Sequence, residues 1–257
     1  MSLIDFQFLF GPVEQLDAWL TGLFAGASLL AALGIAFALG LRHASDPDHL
    51  VAVTSLVAAD DGGTRGATRL GAWWGLGHAA TLVLLGVPLI VFKSALPTWL
   101  ESGAEKAVGV LIIVLAVRVS GKWALGHYRA GRHSHSTGDA VPDHRPHRHL
   151  RPGRGDARHG HHAVRTPQQA FGIGLLHGLA GTGAVVVLLL TALPTQLEAA
   201  LALAVFAPMT IVSMAACTTV FAWVLTRPLV EPVYRSVLIP VLGLFGMMFG
   251  LWYVGLG

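Results

Sequence analysis

Gly40-Leu41-Arg42-His43-Ala44-Ser45-Asp46-Pro47-Asp48-His49-Leu50 sets two histidines and two aspartates inside an otherwise apolar segment of the chain. Ionisable groups at membrane depth are costly and usually mark an ion or substrate path. Imidazole and carboxylate together suit borderline divalent transition metals. On a straight helix, at about 100° per residue, His49 falls roughly 240° and Asp48 roughly 140° away from His43, so the three could not converge. Pro47 removes a backbone donor and disfavours helix at Asp46, so the reading predicts a helix broken inside the motif. A break at this depth frees backbone groups, which is acceptable only where they face a cavity or find partners. A purely structural network capping the broken helix is the bland alternative, and two His with two Asp are expensive to bury for capping alone. Arg42, beside the cluster, reads as snorkelling or paired with an Asp.

Outward from this stretch, the 257 residues are 54% apolar and 12% charged, with mean hydropathy +0.63. That places the chain with all-α polytopic membrane proteins, since soluble domains are about 25% charged. Six apolar segments predict spans: 22–58, 70–92, 106–126, 168–192, 197–226 and 234–256, with seven as the alternative if the first is a hairpin. Cys217 is the single cysteine, which excludes an intramolecular disulfide and a C-x-x-C site. The first 20 residues lack a basic region and hold Asp5, Glu14 and Asp17, so they do not read as a cleaved signal peptide.

Residues 127–166 hold eight arginines against three aspartates, and nine of the thirteen histidines. The segment has almost nothing to form a core and is expected to be disordered without metal. His133, His135, His147, His149, His159, His161 and His162 suit loose capture of a divalent ion. Its positive charge predicts a cytoplasmic position, which places 93–105 and both termini outside. There it could buffer or sense metal or pass it on, with a cytoplasmic metallochaperone as possible partner; nucleic-acid binding is not expected.

The loop divides the chain into an N-terminal membrane repeat (1–126), the loop (127–166) and a C-terminal membrane repeat (167–257). Three spans on either side of it form the arrangement of an inverted repeat. Gly40-Leu41-Arg42-His43-Ala44 can be laid over Gly174-Leu175-Leu176-His177-Gly178, and Val110-Leu111-Ile112 over Val237-Leu238-Ile239. His43 and His177 would then be repeat-related, with a second broken helix at His177-Gly178-Leu179-Ala180-Gly181-Thr182-Gly183. His78, in Gly75-Leu76-Gly77-His78-Ala79-Ala80, could complete a coordination sphere from the second span. The candidate metal positions are therefore His43, Asp46, Asp48, His49, His78 and His177.

Leu41-Arg42-His43-Ala44-Ser45-Asp46-Pro47-Asp48-His49 resembles the H-x4-D-H signature of the nickel/cobalt transporter family, and Leu76-Gly77-His78-Ala79 resembles its second motif. The resemblance implies passage of Ni2+ or Co2+, with His43, Asp48, His49 and His78 as metal-binding positions and no prosthetic group. The chain departs from the family in having Pro47 where Ala is usual and six expected spans in place of eight. The stretch from His177 to Gly183 looks more like the related urease-accessory-type membrane proteins, and the His-rich loop resembles the efflux branch. The alternatives are an efflux protein and a non-transporting membrane sensor or chaperone. An intramembrane hydrolase would want a Glu near the metal, and none lies in the first four apolar segments. No nucleotide-binding motif is present, so coupling to protons or to the membrane potential is expected.

Overall fold

The structure, a computed structural model, describes residues 27–58, 63–125 and 166–255, with parts of 11–24. The histidine-rich loop, with its seven candidate histidines, lies outside the described residues. Among the described residues all regular structure is helical, in seven principal helices: α1 Leu29–Arg42, α2 Pro47–Ala58, α3 Gly63–Val91, α4 Thr98–Ala124, α5 Pro167–Ala192, α6 Gln196–Leu225 and α7 Ile239–Val254. A turn at Glu231–Val233 and a π-helical turn at Tyr234–Leu238 lead into α7.

Local chemistry sets the helix ends. The Ser28 hydroxyl accepts from Ala31 N at the start of α1, and Thr195 accepts from Glu198 N at the start of α6. At α5, Thr166 and Gln169 form a reciprocal capping box ahead of Pro167, an arrangement that satisfies two orphan N–H groups. Gly255, at φ 85°, ends α7 in the left-handed conformation that glycine adopts without steric cost.

The predicted break is present. α1 ends at Arg42, a 3-10 turn covers His43–Ser45, and Asp46 is extended with φ −62° and ψ 142°. α2 then begins at Pro47, and the two helical pieces meet at 50°. Pro47 thus occupies the first position of a new helix, where its missing N–H costs nothing.

Two expectations are corrected. Among the described residues, four helices are long and apolar enough to cross a membrane, or five with the bent pair of α1 and α2 as one span, so neither six nor seven is reached. Part of the reason is that the long first segment is two short helical pieces, neither sufficient alone; α5, several of whose side chains lie outside the described residues, is not among the four. Second, α5 runs unbroken through His177 to Gly183. Its glycines cost only about 1 kcal/mol each in a helix interior, and without a proline there is nothing to force a break.

The layout centres on α3, which packs along both α5 and α6; α1 lies against α6, and α4 against α7. Glycines allow the closest approaches. A methyl on Gly174 of α5 would land on the Trp74 carbonyl oxygen of α3, and one on Gly77 of α3 would land on the Phe171 carbonyl oxygen of α5. One turn on, a Cβ at Gly178 would sit 2.6 Å from the His78 carbonyl oxygen. Close backbone contact through small residues is how membrane helices associate where water supplies no driving force. Here it brings His78 and His177 to the same level.

Candidate metal centre

Outside the 127–166 loop the sequence has four histidines, and all four fall in one cluster. His43, His49, His78 and His177 are 8%, 3%, 0% and 1% exposed, so none is a surface residue. They come from the 3-10 turn, α2, α3 and α5 respectively. The ring centroids of His43 and His49 are 4.6 Å apart, those of His43 and His78 4.8 Å, and those of His49 and His177 4.7 Å.

The break does the work that a straight helix could not. By turning the chain at Asp46 it folds His49 back against His43, the pair that helical periodicity would have set on different faces. His43 Nδ1 lies 3.1 Å from Asp46 Oδ2, while Asp46 Oδ1 is paired at 2.9 Å with Arg42 Nη2. Asp46 therefore orients His43 from behind, the role such carboxylates play beside metal-binding imidazoles. Nε2 of His43, on the side of the ring away from Asp46, faces His78 Nε2 at 2.9 Å. One of the two rings carries the hydrogen between them.

Asp48 joins the other two rings. Its Oδ1 lies 3.1 Å from His49 Nδ1, and its Oδ2 is 3.3 Å from His177 Nε2. Two sets of potential ligand atoms result, each mutually within 4.8 Å: His43, His49 and His78, and Asp48, His49 and His177. His49 Nε2 and His78 Nδ1 are buried with no hydrogen-bond partner among the described residues. Leaving a buried nitrogen unsatisfied costs about 1–3 kcal/mol, a cost that ligation through Nε2 would remove for His49.

The donor set discriminates between ions. Mg2+ and Ca2+ prefer oxygen ligands throughout, and Cu(I) prefers sulfur; imidazole nitrogen with a carboxylate suits Ni2+, Co2+ or Zn2+. Two imidazole nitrogens each about 2.1 Å from one ion, at an angle near 90°, stand about 3 Å apart, close to the 2.9 Å between His43 and His78.

A cavity of about 370 Å³ reaches the cluster, with Arg42, Asp46 and Asp48 on its polar wall and Leu39, Leu189 and Phe206 on its apolar one. It extends toward the end of the bundle where α1 starts and α5 stops. On the other side Trp74 closes the cluster, with its ring 5.5 Å from His49 and 5.7 Å from His177. Beyond it lies packed core, including Val53, Leu70 and Met214.

All six membrane positions singled out in the sequence are thus in one cluster, with Asp46 behind the ring of His43. Arg42 is paired with Asp46, as one of its two readings expected. Thr182 bonds back to the Gly178 carbonyl and makes no contribution to the cluster. Sequence reasoning missed Trp74, which carried no signal in the sequence. It also missed the spacing of Gly174 and Gly178, four apart on one helix face, which could have marked α5 as a close-packing helix.

Fold and site together define an all-α polytopic membrane protein with a buried His/Asp cluster fit for a divalent transition-metal ion. The family model of high-affinity nickel-transport proteins (NicO) matches residues 29–162, and the chain belongs to that family. It is 26% identical to the urease accessory protein UreH of Bacillus sp. (strain TB-90), over 88% of this chain and 91% of that one. It is 36% identical to a high-affinity nickel transport protein of Cupriavidus necator over 40% of this chain and 29% of that one. Against the cobalt transport protein NhlF of Rhodococcus rhodochrous it is 32% identical, over 36% and 27% of the two chains. No solved structure matches.

Proposed function

We propose that this protein carries Ni2+, or Co2+, across the cell membrane through the His/Asp cluster. His43, Asp48, His49, His78 and His177 serve as the ligands, and Asp46 holds His43 in place. The observation that carries the reading is the gathering of all four non-loop histidines, from four separate elements, in one buried cluster beside a cavity. The names of the relatives matched, a nickel transporter and a cobalt transporter among them, support these two ions.

Further support comes from helix pairing for an inverted repeat that relates α1, α3 and α4 to α5, α6 and α7. Under that relation the α1–α6 contact corresponds to α5–α3, while α3–α6 and α4–α7 each correspond to themselves, and all of these contacts are present. With the Arg-rich 127–166 loop in the cytoplasm, the cavity extends toward the outer face, so the ion enters the cluster from outside. A dication moving inward at a 100 mV potential gains about 4.6 kcal/mol, so import needs no nucleotide. The loop then collects arriving ions for a cytoplasmic metallochaperone.

Flux of radiolabelled Ni2+, Co2+ and Zn2+ into proteoliposomes bearing the full chain tests the reading, with Ni2+ or Co2+ expected to cross faster than Zn2+. Absence of flux for all three ions contradicts it.

A further inference from the structure

The cluster is two overlapping ligand sets that share only His49, and they differ in what they face. Asp48 and His177 lie on the wall of the cavity, whereas His78, fully buried, is the one ligand of the five that does not. The two nitrogens of one imidazole point away from each other in the ring plane, so a single ion binds one or the other. His49 Nδ1 is turned to Asp48, 3.1 Å away, and Asp48 in turn reaches His177. That leaves Nε2 of His49, buried and without a hydrogen-bond partner among the described residues, for the set formed with His43 and His78.

We propose that the ion occupies two successive positions on the two nitrogens of His49: an entry position with Asp48 and His177, and a deep position with His43 and His78. The inference rests on the reading of the cluster as the path of the ion. Two dications this close would repel strongly in a poorly screened interior with only Asp48 in contact, so the positions fill in turn. At entry, the Asp48 carboxylate offsets the charge directly. At the deep position the ligands are three neutral rings, and the charge is offset through His43 by Asp46 on its far nitrogen, 3.1 Å away. Passage from one to the other exchanges Asp48, His177 and Nδ1 of His49 for His43, His78 and Nε2 of His49, and the His49 ring gives up the hydrogen on Nε2 and regains one on Nδ1, where Asp48 accepts it. The deep position then lies next to Trp74 and the packed core that separate it from the far side.

The test separates loading from passage in the full chain, with Co2+ supplied on the cavity side and initial uptake measured over a concentration series. His177→Gln touches only the entry position and Asp48→Asn removes that position's anion, so both are expected to raise the half-saturating Co2+ concentration at least tenfold, with the maximal rate of His177→Gln within about threefold of wild type. His78→Gln alters only the deep position and is expected to lower the maximal rate at least tenfold, with half-saturation within about threefold. If the His78 and His177 variants shift half-saturation and maximal rate alike, the ligands form one site and the two-position inference is wrong, although the transport reading stands. A wild-type protein that moves no Co2+ overturns both. Should His177→Gln not fold, Asp48→Asn carries the entry comparison alone.

Discussion

His43 Nε2 and His78 Nε2 stand 2.9 Å apart on elements that begin 20 residues from each other, the 3-10 turn at His43 and α3 at Gly63. Either a hydrogen or a metal ion can bridge that gap. An ion arriving between the two rings takes the place of that hydrogen, and His78 has an Nδ1 without a hydrogen-bond partner among the described residues to receive it.

Asp46 touches no position assigned to the ion, yet it holds His43 in orientation. Carboxylates in that role are worth about 10–100-fold in metal affinity or activity. Asp46→Asn is expected to raise the half-saturating concentration for Ni2+ or Co2+ uptake within that range, while the thermal unfolding of the protein in detergent stays close to wild type. Unchanged uptake kinetics would mean that Asp46 serves Arg42 alone.

Pro47 is less important than its chemistry first suggests. It sits at the first position of α2, after an extended Asp46 whose carboxylate is held by Arg42 and His43. The break is therefore fixed from both sides, and Pro47→Ala is expected to cost about 0.4–1 kcal/mol, the usual effect of releasing the unfolded chain. Uptake should remain within a few fold of wild type. Loss of uptake in Pro47→Ala would show that the proline alone holds the break.

Much of this was legible in the sequence because its causes are local. The break at Asp46, the cost of burying charge and the fit of imidazole to transition metals all follow from neighbouring residues, whereas His78 and His177 were singled out from a second span and from the overlay of two distant segments. The continuity of α5 was not legible: Gly178, Gly181 and Gly183 look like breakers, but Gly174 and Gly178 are used for close approach to Trp74 and His78 of α3. Whether a glycine loosens a helix or lets another pack against it depends on a partner about 100 residues away. Trp74 was invisible for the same reason, since only the meeting of α2, α3 and α5 places it against His49 and His177.

That use of glycine gives a stability prediction. At Gly178 a new methyl meets the His78 carbonyl at 2.6 Å and the Thr81 Cβ at 2.9 Å, and overpacking of this kind costs about 1–3 kcal/mol. Gly178→Ala is expected to lower the unfolding temperature and to reduce uptake, because the shift is passed to His78. Gly172, where nothing lies within 4 Å of an added Cβ, is the control: Gly172→Ala should be neutral or slightly stabilising.

Imidazole binds a metal only in its unprotonated form. Protons therefore compete with the ion for the ring nitrogens, so uptake at limiting Ni2+ is expected to fall over an interval of falling pH. Saturating ion should recover part of the loss. A rate that rises over the same interval would point to a site built from groups other than histidine.

Deleting the 127–166 loop distinguishes transport from sensing. A transporter keeps its flux with altered dependence on ion concentration, since the four membrane histidines remain; a sensor that works through the loop loses its response. Uptake abolished by the deletion in a protein that still folds would contradict the assignment of the path to the membrane cluster.

The most direct measurement compares initial uptake of radiolabelled Ni2+ and Co2+ into proteoliposomes for wild type, His43→Ala and His49→Ala at matched protein. His49 belongs to both ligand sets and His43 to one, so His49→Ala is expected to reduce uptake to background and His43→Ala to reduce it at least tenfold. Wild-type flux of either ion through both variants would contradict the account.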